Sequence, residues 1–323
     1  MNKEYSALVL MATYNGEKYI REQIESIEAQ TFENWHLLIR DDGSTDGTLS
    51  IIKEFQSKDK RIELVTNITD KHGCNRNFFE LIQIAKKIKP YDFYFFSDQD
   101  DIFVKSKFAD MINCAINSGK NEKPLAVYSD LSFINENGDV TSKDLNSAEM
   151  TPPYICYLIN DDFFGSASMI NNESLAFLPN LLSNPNVNNI PWDAFIAQIA
   201  VGLGKAIYLN KPLVMHRIHG DNLSGIHKSR LTLLDYFDKL VGFKKRTRLY
   251  GEYLSSSLLA IEQIEEVLKV LPSQITLIKQ IIQRGGCFGV KHMKELGIKR
   301  RNKTRALDLY LKVFFKFYKK YMF

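Results

Sequence analysis

The 323-residue sequence predicts an α/β protein, a mostly parallel sheet with helices on both faces, followed by a purely helical region. Strand-like and helix-like segments alternate through the first hundred residues with short connections, the order of a parallel sheet covered by helices. Three strand-like runs stop abruptly in polar or acidic residues, and from about residue 228 only helical periodicity remains.

Residues 7–13 (ALVLMAT) are an almost unbroken apolar run, as a buried strand requires. Residues 17–30 follow with Ile20, Ile24 and Ile27 on one helical face. A second strand at 35–40 is cut off by Asp41-Asp42-Gly43-Ser44. Thr45 or Asp46 can cap the helix after it, whose apolar face includes Ile51, Ile52 and Phe55. A strand at 61–66, a helix at 77–89 and a strand at 91–97 complete the alternation, the last ending in Asp98-Gln99-Asp100-Asp101. The middle is less regular. Strands are expected at 125–130 and 131–135 before an Asn137-Gly138 turn, a helix at 193–201, and strands at 206–209 and 213–218. Helical segments then occupy 229–242, 247–271 and the stretch after Pro272. The boundary falls at residue 228, giving domains of residues 1–228 and 229–323.

Composition narrows the class. With 45% hydrophobic and 25% charged residues the chain has the balance of a folded globular protein, which excludes disordered, collagen-like and disulfide-scaffold classes. Cys74, Cys114, Cys156 and Cys287 are scattered without CxxC spacing, as free thiols of a reducing compartment are. The apolar run at 7–12 is too short for a signal-peptide core, and no run of ~18 apolar residues occurs, so the expected location is cytoplasmic. The net charge of +4 belongs to residues 299–323, which hold nine Lys/Arg against one acid, Asp308. The body is mildly acidic, and no nucleic-acid partner is expected. In that tail Leu307, Tyr310, Phe314, Phe317 and Tyr321 recur at helical spacing among Lys312, Lys316, Lys319 and Lys320. A basic amphipathic helix of this kind can lie on an anionic membrane surface; the alternatives are packing on the body or in a homodimer.

Ligands of open α/β sheets bind beyond the carboxyl ends of the strands, where the polar clusters lie. Asp98 and Asp100, two apart at a strand end, point to one side while Gln99 turns away. Paired hard oxygens suit Mg²⁺ or Mn²⁺ on a diphosphate; the plain alternative is a solvated acidic turn. Gly43 and Asp46 serve a turn and a cap, but adjacent acids at Asp41-Asp42 offer a carboxylate to a base or ribose. Neither GxGxxG nor GxxxxGK is present. Arg76, where a loop enters a helix, can fork onto phosphate or be a surface arginine. Taken alone, Asp193 is a helix cap after Pro191 and His219 a loop histidine. A zinc site at His216 and His219 lacks a third ligand at suitable spacing.

Together, residues 11–19 (MATYNGEKY), 40–48 (RDDGSTDGT), 95–101 (FFSDQDD), Pro191-Trp192-Asp193 and 216–222 (HRIHGDN) resemble the inverting family 2 glycosyltransferases over about residues 5–228. The subgroup they are most similar to is the bacterial rhamnosyltransferases of cell-surface polysaccharide synthesis. The resemblance implies a GT-A nucleotide-diphospho-sugar transferase fold with a C-terminal helical extension. Ala12, Thr13, Tyr14, Glu17, Asp42, Arg76, Asp98 and Gln99 would bind the donor, with Ala12 and Tyr14 bordering the base, Asp42 hydrogen-bonding it and Asp98 meeting the ribose. Asp100 and His219 would hold the Mg²⁺ or Mn²⁺, Asp193 would be the catalytic base, and Trp192, Gly165 and Ser166 would face the acceptor. Relatives usually read His-Asp-Trp at the base position, whereas this chain reads Trp192-Asp193-Ala194. The implied donor is dTDP-L-rhamnose or a UDP-sugar, and the acceptor a growing, lipid-linked glycan at the inner face of the plasma membrane. Galactosyl-, glucosyl- or N-acetylglucosaminyl transfer would share every motif. A sugar nucleotidyltransferase would need a Gly-rich loop in place of Thr13-Tyr14-Asn15, and an inactive binding module would be expected to have lost Asp100 or Asp193.

Overall fold

The computed structural model describes residues 4–119, 123–142, 158–159, 164–220, 234–298 and 303–323. The expected boundary at 228, Asp221, Asn222, Cys156 and residues 299–302 lie outside them. In chain order the elements are β1 (Ala7–Thr13), α1 (Ile20–Glu28), β2 (Trp35–Asp41), α2 (Thr48–Lys58), β3 (Ile62–Thr66), α3 (Cys74–Ala85), β4 (Phe93–Ser97), β5 (Ile102–Phe103), α4 (Lys107–Asn117), β6 (Leu125–Ile134) and β7 (Val140–Ser142). A 3-10 turn (Gly165–Ala167) leads into β8 (Ser168–Asn171), followed by α5 (Asn172–Phe177), α6 (Trp192–Leu203) and β9 (Lys205–Arg217). The helices α7 (Leu234–Leu268), α8 (Ser273–Arg284), α9 (Gly286–Glu295) and α10 (Lys303–Phe315) close the chain.

The strands form one sheet in the order β3-β2-β1-β4-β8-β6-β9-β5, with β7 beside β6. Its first four strands are parallel, as the alternation requires. Beyond β4 the sheet is mixed, because β8 runs antiparallel to both β4 and β6, while β6 and β9 are parallel. Residues 125–130 and 131–135, expected as two strands, form the single β6. Segments 206–209 and 213–218 likewise merge into β9. Asn210-Lys211-Pro212 interrupts the apolar pattern there, but a register shift from Leu209 to Pro212 absorbs the interruption. The third helix starts at Cys74, ahead of the expected 77, because Gly73 takes a φ of +130° that favours glycine and turns the chain into it.

Side chains alternate across the sheet. Ala7, Val9 and Met11 enter a core with Ile20, Ile24 and Ile27 of α1, Ile52 and Phe55 of α2, and α4. Leu8, Leu10 and Ala12 enter the opposite core, with α3, α6 and α7 to α10. Each fully buried isoleucine of α1 contributes about 1.5–3 kcal/mol relative to exposure. The C-terminal helices thus extend the core of the sheet's second face. The seam between α6 and α7 is partly polar: Gln198 Nε2 donates to Ser257 Oγ (2.8 Å), and Ser256 Oγ donates to Gln198 Oε1 (3.3 Å).

The step from α6 into β9 depends on Gly204, where a Cβ would overlap the Pro124 backbone carbonyl. Gly204→Ala should lower the free energy of unfolding by about 1–3 kcal/mol in urea titrations. Gly220→Ala, whose Cβ would meet nothing within 4 Å, should stay within about 0.5 kcal/mol of the parent.

Candidate active site

Parallel register brings the strand ends together. Thr13 pairs with Asp41 and Met11 with Ser97, so the segments following β1, β2 and β4 open at one edge. The loop after β1 is held from both sides. Gln99 Oε1 accepts from Thr13 Oγ1 (2.6 Å) and Tyr14 N (2.9 Å), and its Nε2 donates to Tyr14 O (3.0 Å). Glu17 accepts from Gly47 N (2.8 Å), fastening the same loop to the start of α2. Gln99, Glu17 and Thr13, expected on the donor, are therefore loop clamps here. Ala12 lies at the edge of the second core, and Tyr14 is 54% exposed.

Asp41 is fully buried and accepts from Gly43 N (3.0 Å) and Ser44 N (2.9 Å), which shapes the turn after β2. Asp42 accepts from Gly73 N (2.8 Å) and Asn67 Nδ2 (2.9 Å), with Arg40 Nη1 at 3.4 Å. It ties the 67–73 loop and the entrance of α3 to β2. Arg76, in the first turn of α3, donates to the Leu182 carbonyl (3.3 Å) and lies 3.8 Å from Glu80. Its guanidinium is held by the protein rather than turned free toward a donor.

The acidic segment after β4 sits over basic partners from β9. Fully buried Asp101 lies 2.8 Å from His216 Nδ1 and accepts from Arg217 N (3.2 Å). Burial opposes charge on both members of this pair, but mutual attraction and the hydrogen bond win. His216 is pushed up to about 9, and Asp101 is held below the usual carboxylate range. Asp100 Oδ2 lies 2.7 Å from His219 Nε2, and Arg217 Nε donates to the Asp100 carbonyl (2.9 Å). Arg217 also reaches the carbonyls of Asn135 (3.3 Å) and Glu136 (3.1 Å). His216 and His219 thus turn to different carboxylates. Burial, then the charges of Asp101 and Asp100, raise Asp98 well above its ordinary value; burial, then Asp101, raise Asp100. Crowded oxygens of this kind, with His219 beside them, fit a hard divalent cation. Among the described residues no three ligating side chains gather about one point, so a bound cation would take its remaining ligands from substrate and water.

Asp193 occupies the first turn of α6, its Oδ1 accepting from Ala194 N (2.8 Å). Burial pushes its carboxyl up to about 6, against the pull of backbone amides that include Ala194 and Gly165. Beside it Trp192 departs from expectation. The indole is 6% exposed and stacks on Phe78 with centroids 3.7 Å apart, with Phe96 at 5.1 Å. It packs against Gly165 so closely that a Cβ there would overlap the ring. Trp192 is a core residue, and no sugar can stack on it in this arrangement. Ser166 is buried too, and its carbonyl accepts from Lys107 Nζ. Lys107 is fully buried, 3.2 Å from the Phe103 ring centroid, and burial holds its pKa well below 10.5 against the pull of Asp101 and Asp98.

Cys74, which sequence reasoning passed over, shows how these parts converge. Its thiol is pushed up by burial and then by the charges of Asp98, Asp193, Asp100 and Asp42, four carboxylates from three segments: the turn after β2, the segment after β4 and the start of α6. Arg217 and Lys107 were missed as well. Arg217 sits inside the 216–222 motif, whereas nothing in the sequence marks Lys107.

Residues 8–121 match the model of the glycosyl transferase family 2. The chain is 41% identical to the dTDP-rhamnosyl transferase RfbG of Shigella flexneri over 112 residues, which cover 34% of this chain and 38% of that protein. It is 33% identical over 137 residues to the UDP-Glc:alpha-D-GlcNAc-diphosphoundecaprenol beta-1,3-glucosyltransferase WfgD of Escherichia coli, covering 42% of this chain and 50% of that one. The matches thus span at most half the length of either relative. Among solved structures, S. aureus TarS 1-349 in complex with UDP-GlcNAc aligns over 98% of this chain and 93% of that chain, with a TM-score of 0.52 at 15% identity. That likeness concerns the fold. Parallel strand ends and an acidic segment after β4 thus lie on a GT-A fold, and residues 8–121 within it are similar to the glycosyl transferase family 2.

Proposed function

We propose that the protein is an inverting glycosyltransferase that moves a sugar from a nucleoside diphosphate to a hydroxyl of a growing glycan. The observation that carries this reading is that the entrance of α3 is bonded on one side to Asp42, through the Gly73 amide, and on the other to the start of α6 that carries Asp193, through Asn75 and Trp192 N, at the sheet edge where β4 leads into Asp98 and Asp100. The Asp193 carboxylate takes the acceptor's hydroxyl proton as that oxygen attacks the anomeric carbon. The bond to the diphosphate oxygen breaks on the opposite side, and one displacement inverts the centre. General-base help of this kind is worth roughly 10²–10⁴-fold. Tyr14 and Ala12 border the base, the Asp42 carboxylate lies beside it, and Asp98 faces the ribose. Arg76 reaches the donor only by releasing the Leu182 carbonyl. Asp100 and His219 would hold Mg²⁺ or Mn²⁺, whose chemistry when bound is to neutralise charge on the departing diphosphate.

The likeness to a dTDP-rhamnosyl transferase favours dTDP-L-rhamnose as donor; the likeness to a glucosyltransferase supports UDP-glucose as the second reading. Residues 1–228 form the catalytic unit in this proposal, and residues 229–323 an extension that reaches the membrane carrying a lipid-linked acceptor. No helix among the described residues is long and apolar enough to cross a membrane. Phe314, Phe315 and Phe317 are exposed at the end of the chain with Lys316, Lys319 and Lys320, a combination suited to the anionic inner face of the plasma membrane. Lys312, counted on that face from the sequence, is instead buried and paired with Asp308 (2.7 Å). Exposed aromatics also leave a homodimer contact as the alternative.

Asp193→Asn keeps the shape but cannot take the proton, so kcat should fall by roughly 10²-fold or more while nucleotide affinity holds. Turnover within tenfold of the parent would place the base elsewhere. Because the carboxylate is the active form and burial in the free protein pushes its pKa up to about 6, log kcat/KM should rise with unit slope below that pH and level off above it. Transfer should vanish in EDTA and return with Mg²⁺ or Mn²⁺, and Asp100→Ala should lose transfer with little change in melting temperature. An Asp100→Ala enzyme fully active in EDTA would remove the cation from the scheme. Co-sedimentation with anionic vesicles should be lost on truncation at Lys299, whereas unchanged partitioning would favour the dimer.

A further inference from the structure

The face of the sheet that carries Asp193 holds another carboxylate. On β6, Ala126 and Tyr128 enter the core shared with Trp192 and Ala194, while Leu125, Val127, Leu131 and Phe133 enter the opposite one. By that alternation Asp130 stands on the Asp193 side. The β6–β8 ladder pairs Tyr128 with Ser168, and the β4–β8 ladder pairs Phe95 with Met169. Beyond those pairs the Gly165–Ala167 turn stands between the end of β4, which leads into Asp98, and the Ser129–Asp130 stretch of β6, and Ser129 Oγ donates to the Ala167 carbonyl (3.4 Å). In the other direction the row leads through β1 to β2, which ends in Asp41-Asp42. The order is therefore Asp42, Asp98, the Gly165–Ser166 turn against Asp193, and Asp130.

The side chain is only 4% exposed. Its Oδ1 accepts from Leu131 N (2.8 Å), while Oδ2 is sealed from water without a hydrogen-bond partner. A buried carboxylate oxygen left without a donor is unfavourable, so this one awaits a donor that the bare chain does not supply. The neighbouring strand β9 shifts register on both sides of Asp130, an irregularity of the bulge type that is frequent next to active sites.

We propose that Asp130 anchors the acceptor: its Oδ2 accepts a hydrogen bond from a hydroxyl of a neutral pyranoside, whose neighbouring hydroxyl is thereby held toward Asp193. This rests on the transfer reaction proposed above, which assigns the Asp98 side to the donor. The Asp130 side, beyond Asp193, is left for the second substrate. A carboxylate in that place selects hydroxyl donors and repels anionic sugars.

The test follows binding of octyl α-L-rhamnopyranoside, octyl β-D-glucopyranoside and octyl N-acetyl-β-D-glucosaminide to the full chain by saturation-transfer NMR, with dTDP or UDP saturating. The parent, Asp130→Asn and Asp130→Ala are compared. At least one glycoside should bind the parent and bind both variants at least tenfold more weakly. Nucleotide affinity should change less than twofold, and melting temperature should not fall. Equal binding by parent and variants overturns the proposal, as does a parent that binds nucleotide but none of the glycosides. A joint fall in melting temperature and nucleotide affinity in both variants would assign Asp130 to the fold and overturn it too. Release of nucleoside diphosphate from nucleotide sugars is measured separately on the parent. Its absence would end the transferase reading, while the glycoside titrations still decide on Asp130.

Discussion

Negative charge packed at one end of the sheet is the constraint on which this structure turns. Parallel strands deliver their carboxyl ends to the same edge, and two of those ends, β2 and β4, are acidic or lead into acids. Unit charges 4 Å apart near a protein surface interact by about 4 kcal/mol, so the cluster must be offset or left partly protonated. The chain does both. Asp101 is balanced by His216, and Asp42 is satisfied by the Gly73 amide, Asn67 and Arg40. Asp98, Asp100 and Asp193 are left under-compensated, each held above its ordinary pKa.

How much of this was legible follows from where each side chain finds its partners. β1 to β4 and the helices between them were readable because an apolar run or a 3.6-residue stripe is a local signal. The acids after β2 and β4 were readable because polarity directly after a buried strand is local too. Trp192 was misjudged because its partner, Phe78, lies in another helix, and nothing in Pro191-Trp192-Asp193 shows that one face of the indole is covered. Gln99 and Glu17 were assigned to ligand for the same reason: their bonds go to Tyr14 and Gly47, across loops whose approach only the fold reveals. The break at residues 210–212 hid the continuity of β9, since a bulge disturbs periodicity without ending a strand.

The position of Asp193 also depends on distant parts of the chain. Helix α6 is fixed at its start by Trp192 between Phe78 and Gly165, and along its length by the Gln198–Ser257 bond to α7. Since α7 to α10 share the core of that face, the C-terminal helices help to hold the carboxylate over the strand ends. Asn75 adds a nearer support, its Oδ1 accepting from Trp192 N (3.2 Å) and its Nδ2 donating to the Asn188 carbonyl (2.7 Å). The entrance of α3 and the entrance of α6 are thereby fixed to one another.

Lys107 gives the cluster a thermodynamic signature. In the unfolded chain its amine titrates near 10.5; in the fold, burial keeps it well below that value. Between the two values the unfolded chain binds a proton that the folded chain has released. The unfolded state is then the more protonated one, so this residue's contribution to stability grows as pH rises through that window and is lost on its acid side. Folding of the sheet edge is, at this one amine, a reaction that sheds hydrogen ions.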